Sequence, residues 1–125
     1  MKIEVSNLLN KKKYIVTTTT NHPTLAMHKF ARQDDWTLIV VGDKNTPHYD
    51  YENLDCIYLH PDEQDKKYPE LSKSIGWNCP QRKNIGLVEA YNLGADIIAL
   101  VSDNMNPYDG WGENVIVGES VEVDF

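Results

Sequence analysis

Four short polar segments carry side chains that could do chemistry, and each borders an apolar stretch. They are Thr19-Thr20-Asn21-His22, Gly42-Asp43-Lys44, Gln81-Arg82-Lys83-Asn84 and Ser102-Asp103-Asn104. Between them they hold hydroxyls, amides, cations and carboxylates. Gathered into one crevice, that set would suit a nucleotide. Hydroxyls and amides would meet base and ribose, the cations a diphosphate, and a carboxylate a divalent metal ion. Open α/β sheets bind ligands at the carboxyl ends of their strands, and three of these segments follow runs that read as strands.

Each residue also has a plainer reading. An Asp after a strand, as at Asp43, is a common turn residue. Asp103 follows a continuous apolar run, where a carboxylate either caps the next turn or ligates a metal. Arg82 and Lys83 stand near a helix start, the positive end of the helix dipole, where two cations are unfavourable without an anion nearby. The histidines His22, His28, His48 and His60 show no paired spacing; His28 reads as helix surface and the others as loop residues. Trp77 could stack on a base or anchor its own loop to the core. The sequence has no Gly-x-x-x-x-Gly-Lys loop, no Gly-x-Gly-x-x-Gly and no Gly-x-Ser-x-Gly elbow.

The elements that must position these groups alternate between strand and helix. Tyr14 to Thr20 is β-branched and apolar, a buried first strand. Asn21-His22-Pro23 breaks it, and Thr24 caps a helix running to about Gln33. Trp36 to Val41 is a second strand stopped by Gly42-Asp43, and Cys56 to Leu59 a short third. His60 to Asn78, with Pro61, Pro69 and Gly76, reads as a long connection, and such loops are usually functional. Pro80 opens a second helix that runs to about Leu93 and is closed by Gly94. Ile97 to Val101 fits a parallel strand covered on both faces. Tyr108 to Gly112 reads as a turn, with short strands expected at Asn114–Val117 and Val121–Val123. The pattern predicts an α/β fold with a mostly parallel sheet flanked by helices. Residues 1–13 form a polar flank ending in Lys11-Lys12-Lys13, and 14–125 a single domain.

Composition narrows the function classes. The 125 residues suffice for one domain with its own core. Hydrophobic residues make up 41% and charged residues 25%, a globular rather than disordered balance. With 12 basic and 19 acidic residues the formal charge is −7, which excludes a generic nucleic-acid binder but not a locally held small anion. The longest apolar run has five residues, so no membrane segment is expected. The first thirteen residues carry no apolar signal core, and Cys56 and Cys79 match no metal or disulfide pattern. A cytoplasmic protein with two reduced cysteines is the expectation.

The order of these segments resembles the nucleotide-binding half of GT-A type glycosyltransferases, and among them the STELLO-type group. The most specific pieces are Trp36-Thr37-Leu38-Ile39-Val40-Val41-Gly42-Asp43-Lys44-Asn45-Thr46-Pro47 and Arg82-Lys83-Asn84-Ile85-Gly86, joined by Ser102-Asp103-Asn104-Met105-Asn106-Pro107. The resemblance spans Tyr14 to about Gly118 and implies a Rossmann-like, truncated GT-A type fold. By that resemblance Thr18 and Thr19 would line the nucleoside pocket, Asp43 would face the base, and Arg82 and Lys83 would lie near the diphosphate with Asn84 shaping the pocket. Asp103 would fall in an Asp-x-Asp motif holding a divalent cation, Mn2+ or Mg2+, on a nucleoside diphosphate sugar. Asp103, Arg82 and Lys83 would then be the catalytic agents, stabilising the leaving diphosphate. Gly86 and Ala90, a helical turn apart, would let their helix lie close to the sheet or ligand.

Two departures qualify that implication. The family's run of aspartates reads Ser102-Asp103-Asn104-Met105 here, and a thioether is a poor ligand for a hard cation. The sequence ends soon after Trp111-Gly112, so most of the acceptor segment is expected to be missing. The expected activity is transfer of a sugar from a nucleoside diphosphate to an unknown acceptor. The alternatives are an inactive nucleotide-sugar binding module and a structural or regulatory remnant of the fold. An open sheet edge makes a homodimer a further expectation.

Overall fold

A computed structural model describes residues 11–113. The strands are β1 (Lys13–Thr19), β2 (Trp36–Gly42), β3 (Ile57–Leu59) and β4 (Ile97–Leu100). The helices are α1 (Leu25–Ala31), α2 (Pro61–Lys67), α3 (Pro69–Ile75) and α4 (Lys83–Asn92), with 3-10 turns at His48–Tyr51 and Pro80–Arg82. Among the described residues the sheet has four strands in the order β3-β2-β1-β4, and every pairing is parallel. This is the α/β, Rossmann-like class expected from the sequence. The strands predicted at 114–117 and 121–123 lie outside the described residues.

Parallel pairing explains why the strands read as unbroken apolar runs. Ile15 lies opposite Leu38 and Thr17 opposite Val40, while Val16 lies opposite Ile39. Alternate residues therefore feed two separate cores. On one face Ile15, Leu38 and Val40 pack with Ala26, Met27 and Phe30 of α1 and with Trp36, Tyr51 and Leu54. On the other, Val16, Ile39, Val41 and Leu59 pack with Ile85 and Ala90 of α4, joined by Tyr68, Leu71 and Ile75. Gly86 sets the depth of that contact: a Cβ there would stand 2.5 Å from Val16 Cγ1 and 2.8 Å from Val41 Cγ2. The expected close approach of α4 to the sheet is present, and Gly86 is what permits it.

Two expectations need correction. The 60–78 connection is mostly helical, because Pro61 and Pro69 each begin a helix rather than break one. Proline has no N–H to lose in a first turn, and its φ already suits the helix. β4 is covered less than its sequence suggested: Ile97, Ile98 and Ala99 are half-buried and Leu100 is 47% exposed. Smaller differences lie at the ends of elements. The helix expected from Pro80 starts as a 3-10 turn and becomes α-helical at Lys83. Thr24 is the N-cap of α1 as expected, accepting from the Met27 N–H at 3.2 Å. Among the described residues no helix is long and apolar enough to cross a membrane.

β1 is the turning point of the topology. β2 and β3 lie to one side of it and β4 to the other, so the crevice between the carboxyl ends of β1 and β4 is the switch point where such sheets bind ligands.

Candidate functional site

A cavity of about 330 Å³ opens at that switch point. It is lined by residues 18–21 at the end of β1, by Asp43 after β2, by Asp103 after β4, and by Asn78, Cys79 and Pro80 of the segment entering α4. The volume is at the small end of the range for ligand pockets, about 300–1,000 Å³.

Asp103 is fixed from three directions. Its Oδ2 accepts from Thr19 Oγ1 at 2.6 Å and from Asn21 Nδ2 at 2.7 Å. Its backbone carbonyl accepts from Thr24 Oγ1 at 2.5 Å, so the residue that caps α1 also ties down the end of β4. Among the described residues Oδ1 has no hydrogen-bond partner, which leaves one carboxylate oxygen for a ligand.

Asp43 is held more tightly and is nearly buried. Its Oδ1 accepts from the Lys44 N–H at 2.7 Å and its Oδ2 from the Asn78 N–H at 2.8 Å. Thr46 completes the turn: Asp43 N–H donates to its Oγ1 at 2.8 Å, and that hydroxyl donates to the Thr19 carbonyl at 2.6 Å. Asp43 thus does the turn residue's work while joining the far wall, at Asn78, to the floor. Asn78 has φ of 63°, a left-handed conformation that asparagine tolerates better than most residues. Thr18 donates to the Val41 carbonyl at 2.7 Å and Tyr51 to the Asn21 carbonyl at 2.7 Å. Burial pushes the Tyr51 phenol up to about 12, against the opposing hydrogen bond with Thr19, so at neutral pH it is a donor.

Arg82 does not reach the cavity. It is fully buried, and its guanidinium donates to the carbonyls of Ser72 at 2.9 Å and Gly76 at 3.2 Å, to Ser72 Oγ at 3.0 Å and to Gln64 Oε1. It also stacks on Trp77, 3.7 Å from the ring centroid. Burial lowers its pKa, opposed by Asp43 and Asp65. The Ser72 and Gly76 carbonyls belong to the last turn and cap of α3. The cation placed unfavourably at the start of α4 therefore neutralises the negative end of α3. Gln64 carries the link to the sheet, donating to the Gly42 carbonyl at 2.7 Å and the Leu59 carbonyl at 2.8 Å. Trp77 anchors this assembly, with Lys44 Nζ 5.0 Å from its ring centroid. Lys83 and Asn84 occupy the first turn of α4, half-buried and outside the cavity lining.

Of the expected group, the structure brings Thr18, Thr19, Asp43 and Asp103 together. It leaves Lys83 and Asn84 beside that group and turns Arg82 away as a structural hub. Sequence reasoning missed Asn78 and Gln64, and named Asn21 only as part of its polar segment. Asn78 carried a legible signal, an Asn in a Gly-Trp-Asn-Cys-Pro turn. Gln64 carried none, because its role depends on two carbonyls distant in the chain.

The cavity is rich in acceptors. Two carboxylates, three threonine hydroxyls and asparagine side chains line it, with no lysine or arginine among the lining residues. Such a surface suits a ligand bearing hydroxyls and N–H groups better than a bare phosphate. Among the described residues no three His, Cys, Asp or Glu side chains converge to hold a metal. Asn104 Oδ1 accepts from Ser102 Oγ at 2.6 Å within its own turn, and Met105 is exposed. A hard divalent ion wants six or so oxygens, and Asp103 offers one.

Neither a protein-family model nor a curated protein matches this chain.

Proposed function

We propose that the crevice at the ends of β1, β2 and β4 binds a nucleoside diphosphate sugar. In the active form of this reading, the domain transfers the sugar to an acceptor in the manner of a GT-A type glycosyltransferase. The observation that carries it is the convergence of Thr19, Asn21, Asp43, Asn78 and Asp103, from four separate stretches of chain, on one cavity at the switch point. The acceptor-rich lining suits the nucleoside, whose ribose hydroxyls and base N–H groups are donors. Lys83 and Asn84 in the first turn of α4 are the groups left to meet the diphosphate, with the amide end of that helix behind them. A divalent cation, Mn2+ or Mg2+, belongs to this reading only as an ion carried in on the diphosphate. The reading places the domain in the cytoplasm, where Cys56 and Cys79 stay thiols.

A second reading, binding without turnover, is favoured by two observations. Arg82 is spent on interior carbonyls, and Asp103 is the lone carboxylate of the 102–107 run.

Thermal-shift measurements with UDP, GDP, their sugars and the free nucleosides, each with and without Mn2+, test both. A ligand at one hundred times its Kd stabilises the fold by about 2.7 kcal/mol. A metal-dependent shift supports transferase chemistry, and a metal-independent shift supports the binding module. No shift with any of them would overturn the nucleotide proposal.

A further inference from the structure

Two of the four histidines, which show no paired spacing in the sequence, are brought together by the fold, and one of them is built into the backbone. The rings of His48, in the 3-10 turn after β2, and His60, which precedes α2, lie with centroids 4.3 Å apart at an interplanar angle of 49°. His60 is the N-cap of α2: its Nδ1 accepts from the Asp62 N–H at 3.1 Å. That acceptor role puts the ring proton on Nε2. His48 Nδ1 is hydrogen-bonded to the Tyr58 hydroxyl. Tyr58 in turn stacks on Tyr51, with centroids 5.2 Å apart and planes at 10°. Tyr51 closes the chain of contacts by donating to the Asn21 carbonyl at the rim of the crevice.

We propose that the closely apposed His48–His60 pair is an acid-sensitive latch. With both rings neutral it holds the His48–Tyr51 turn against the start of α2, and proton uptake by the pair releases that contact. The proposal does not depend on what the crevice binds.

Three costs fall on the protonated pair. A proton on His60 Nδ1 replaces the acceptor that caps α2 with a donor facing another donor. The resulting cation sits at the positive end of the helix. A second proton sets two charges about one ring's width apart in a partly shielded site. The opposing charges are few. Asp62 Oδ2 is 3.6 Å from His60 Nδ1, but its side chain is 94% exposed, so solvent screens it. Asp50, in the same turn as His48, is engaged by His22 at the surface. Tyr58, which bonds to His48, is kept protonated chiefly by burial, with Asp43 adding to the effect. Consistent with this, burial and then His60 lower the His48 pKa, only partly offset by Asp62. A histidine whose folded pKa is depressed contributes stability that is complete above its unfolded value, about 6.5, and is lost as the pH falls below it.

The experiment compares melting temperatures of the full chain and of His60→Asn at pH 7.5 and pH 5.5. Asparagine retains the cap and does not titrate. Between these pH values the unaltered protein is expected to lose about 4 °C or more beyond what the variant loses, the shift that removal of one cap produces in a domain of this size. Nitrogen-15 spectra of the unaltered protein's histidine rings supply a second measurement that needs no variant. They are expected to show the Nε2–H tautomer for His60 at pH 7.5. Equal losses in both proteins, or a proton on His60 Nδ1 at pH 7.5, would overturn the latch.

Discussion

Two polar clusters sit at the carboxyl ends of strands in one sheet and are made from similar groups, yet they serve opposite ends. In the hub behind the site, Gln64, Ser72 and Arg82 are almost wholly enclosed, and the four guanidinium contacts go to protein acceptors. In the crevice, Thr19, Asn21 and Asp103 also bond to one another, but among the described residues Asp103 Oδ1 is left over. The two clusters meet at Asn78, which follows the arginine-braced 72–77 segment and donates its N–H to Asp43. A cation, an amide and a hydroxyl become structure where their hydrogen bonds turn inward on the protein, even with Arg82 Nε left unpartnered among the described residues, and become a site where a lone pair remains facing a hollow. Residue type alone does not separate the two cases.

The sharpest way to break this comparison is at Arg82. Replacing it with methionine strands the Gly76 carbonyl and Gln64 Oε1 without this donor and leaves the Ser72 carbonyl only the Gly76 N–H. At about 1–3 kcal/mol for each stranded buried group, the expected loss is about 3 kcal/mol or more, read as a lower urea midpoint. Arg82→Lys should recover part of it, since an ammonium restores the charge but not the fork. If Arg82→Met unfolds like the parent protein, the guanidinium is not the brace described here.

The next effect concerns a second closed cluster. Glu89 of α4 is nearly buried and accepts from Lys67 Nζ at 2.8 Å and Tyr68 OH at 2.7 Å. Burial works to raise its pKa, but these two hydrogen bonds and the Lys67 charge outweigh it and hold the carboxyl below its usual value. The folded chain therefore binds that proton less readily than the unfolded one. The stability Glu89 contributes is present above its ordinary value, about 4.3, and is lost as the pH falls through the folded pKa. Between pH 5 and pH 3 the parent protein should lose more stability than Glu89→Gln, as followed by urea melts across that interval. Parallel slopes would remove Glu89 from the account. This window lies below that of the histidine latch, so the two are separable.

The smallest effect on stability is expected in the crevice itself. Asp103→Asn keeps an oxygen to accept from Thr19 and Asn21, so the folded state should change by about 1 kcal/mol or less. Under the nucleotide proposal ligand binding should nonetheless fall by about tenfold or more, because the free oxygen loses its charge. Titration calorimetry would show it. A large stability loss with unchanged binding would reverse the assignment of the two clusters.

How much of this could be read in the sequence depends on what each feature draws on. The strands were legible because parallel strands buried on both faces leave unbroken apolar runs, and Trp36–Gly42 is the clearest case. Thr24 as a cap was legible because its partner is three residues away. Helices α2 and α3 were not, since Pro61 and Pro69 look like breakers until each is placed in a first turn. Asp43 and Asp103 were legible as strand-end carboxylates, and they do share one cavity. Arg82 was misread for a physical reason. A cation at a helix start does need a counter-charge, but here the partner is the carbonyl end of α3, reached only through the tertiary fold. The pairing of His48 with His60 is likewise invisible at a separation of twelve residues without the parallel arrangement of β2 and β3.

The most direct test of the central claim is a map of backbone amide shifts during titration with UDP and with GDP. The account predicts that the amides of residues 18–21, 78–79 and 103 move together and saturably with at least one of the two. A spectrum that stays still, or one whose changes gather instead at Lys29, Arg32 and Tyr108, which line a separate hollow at the end of α1, would contradict it.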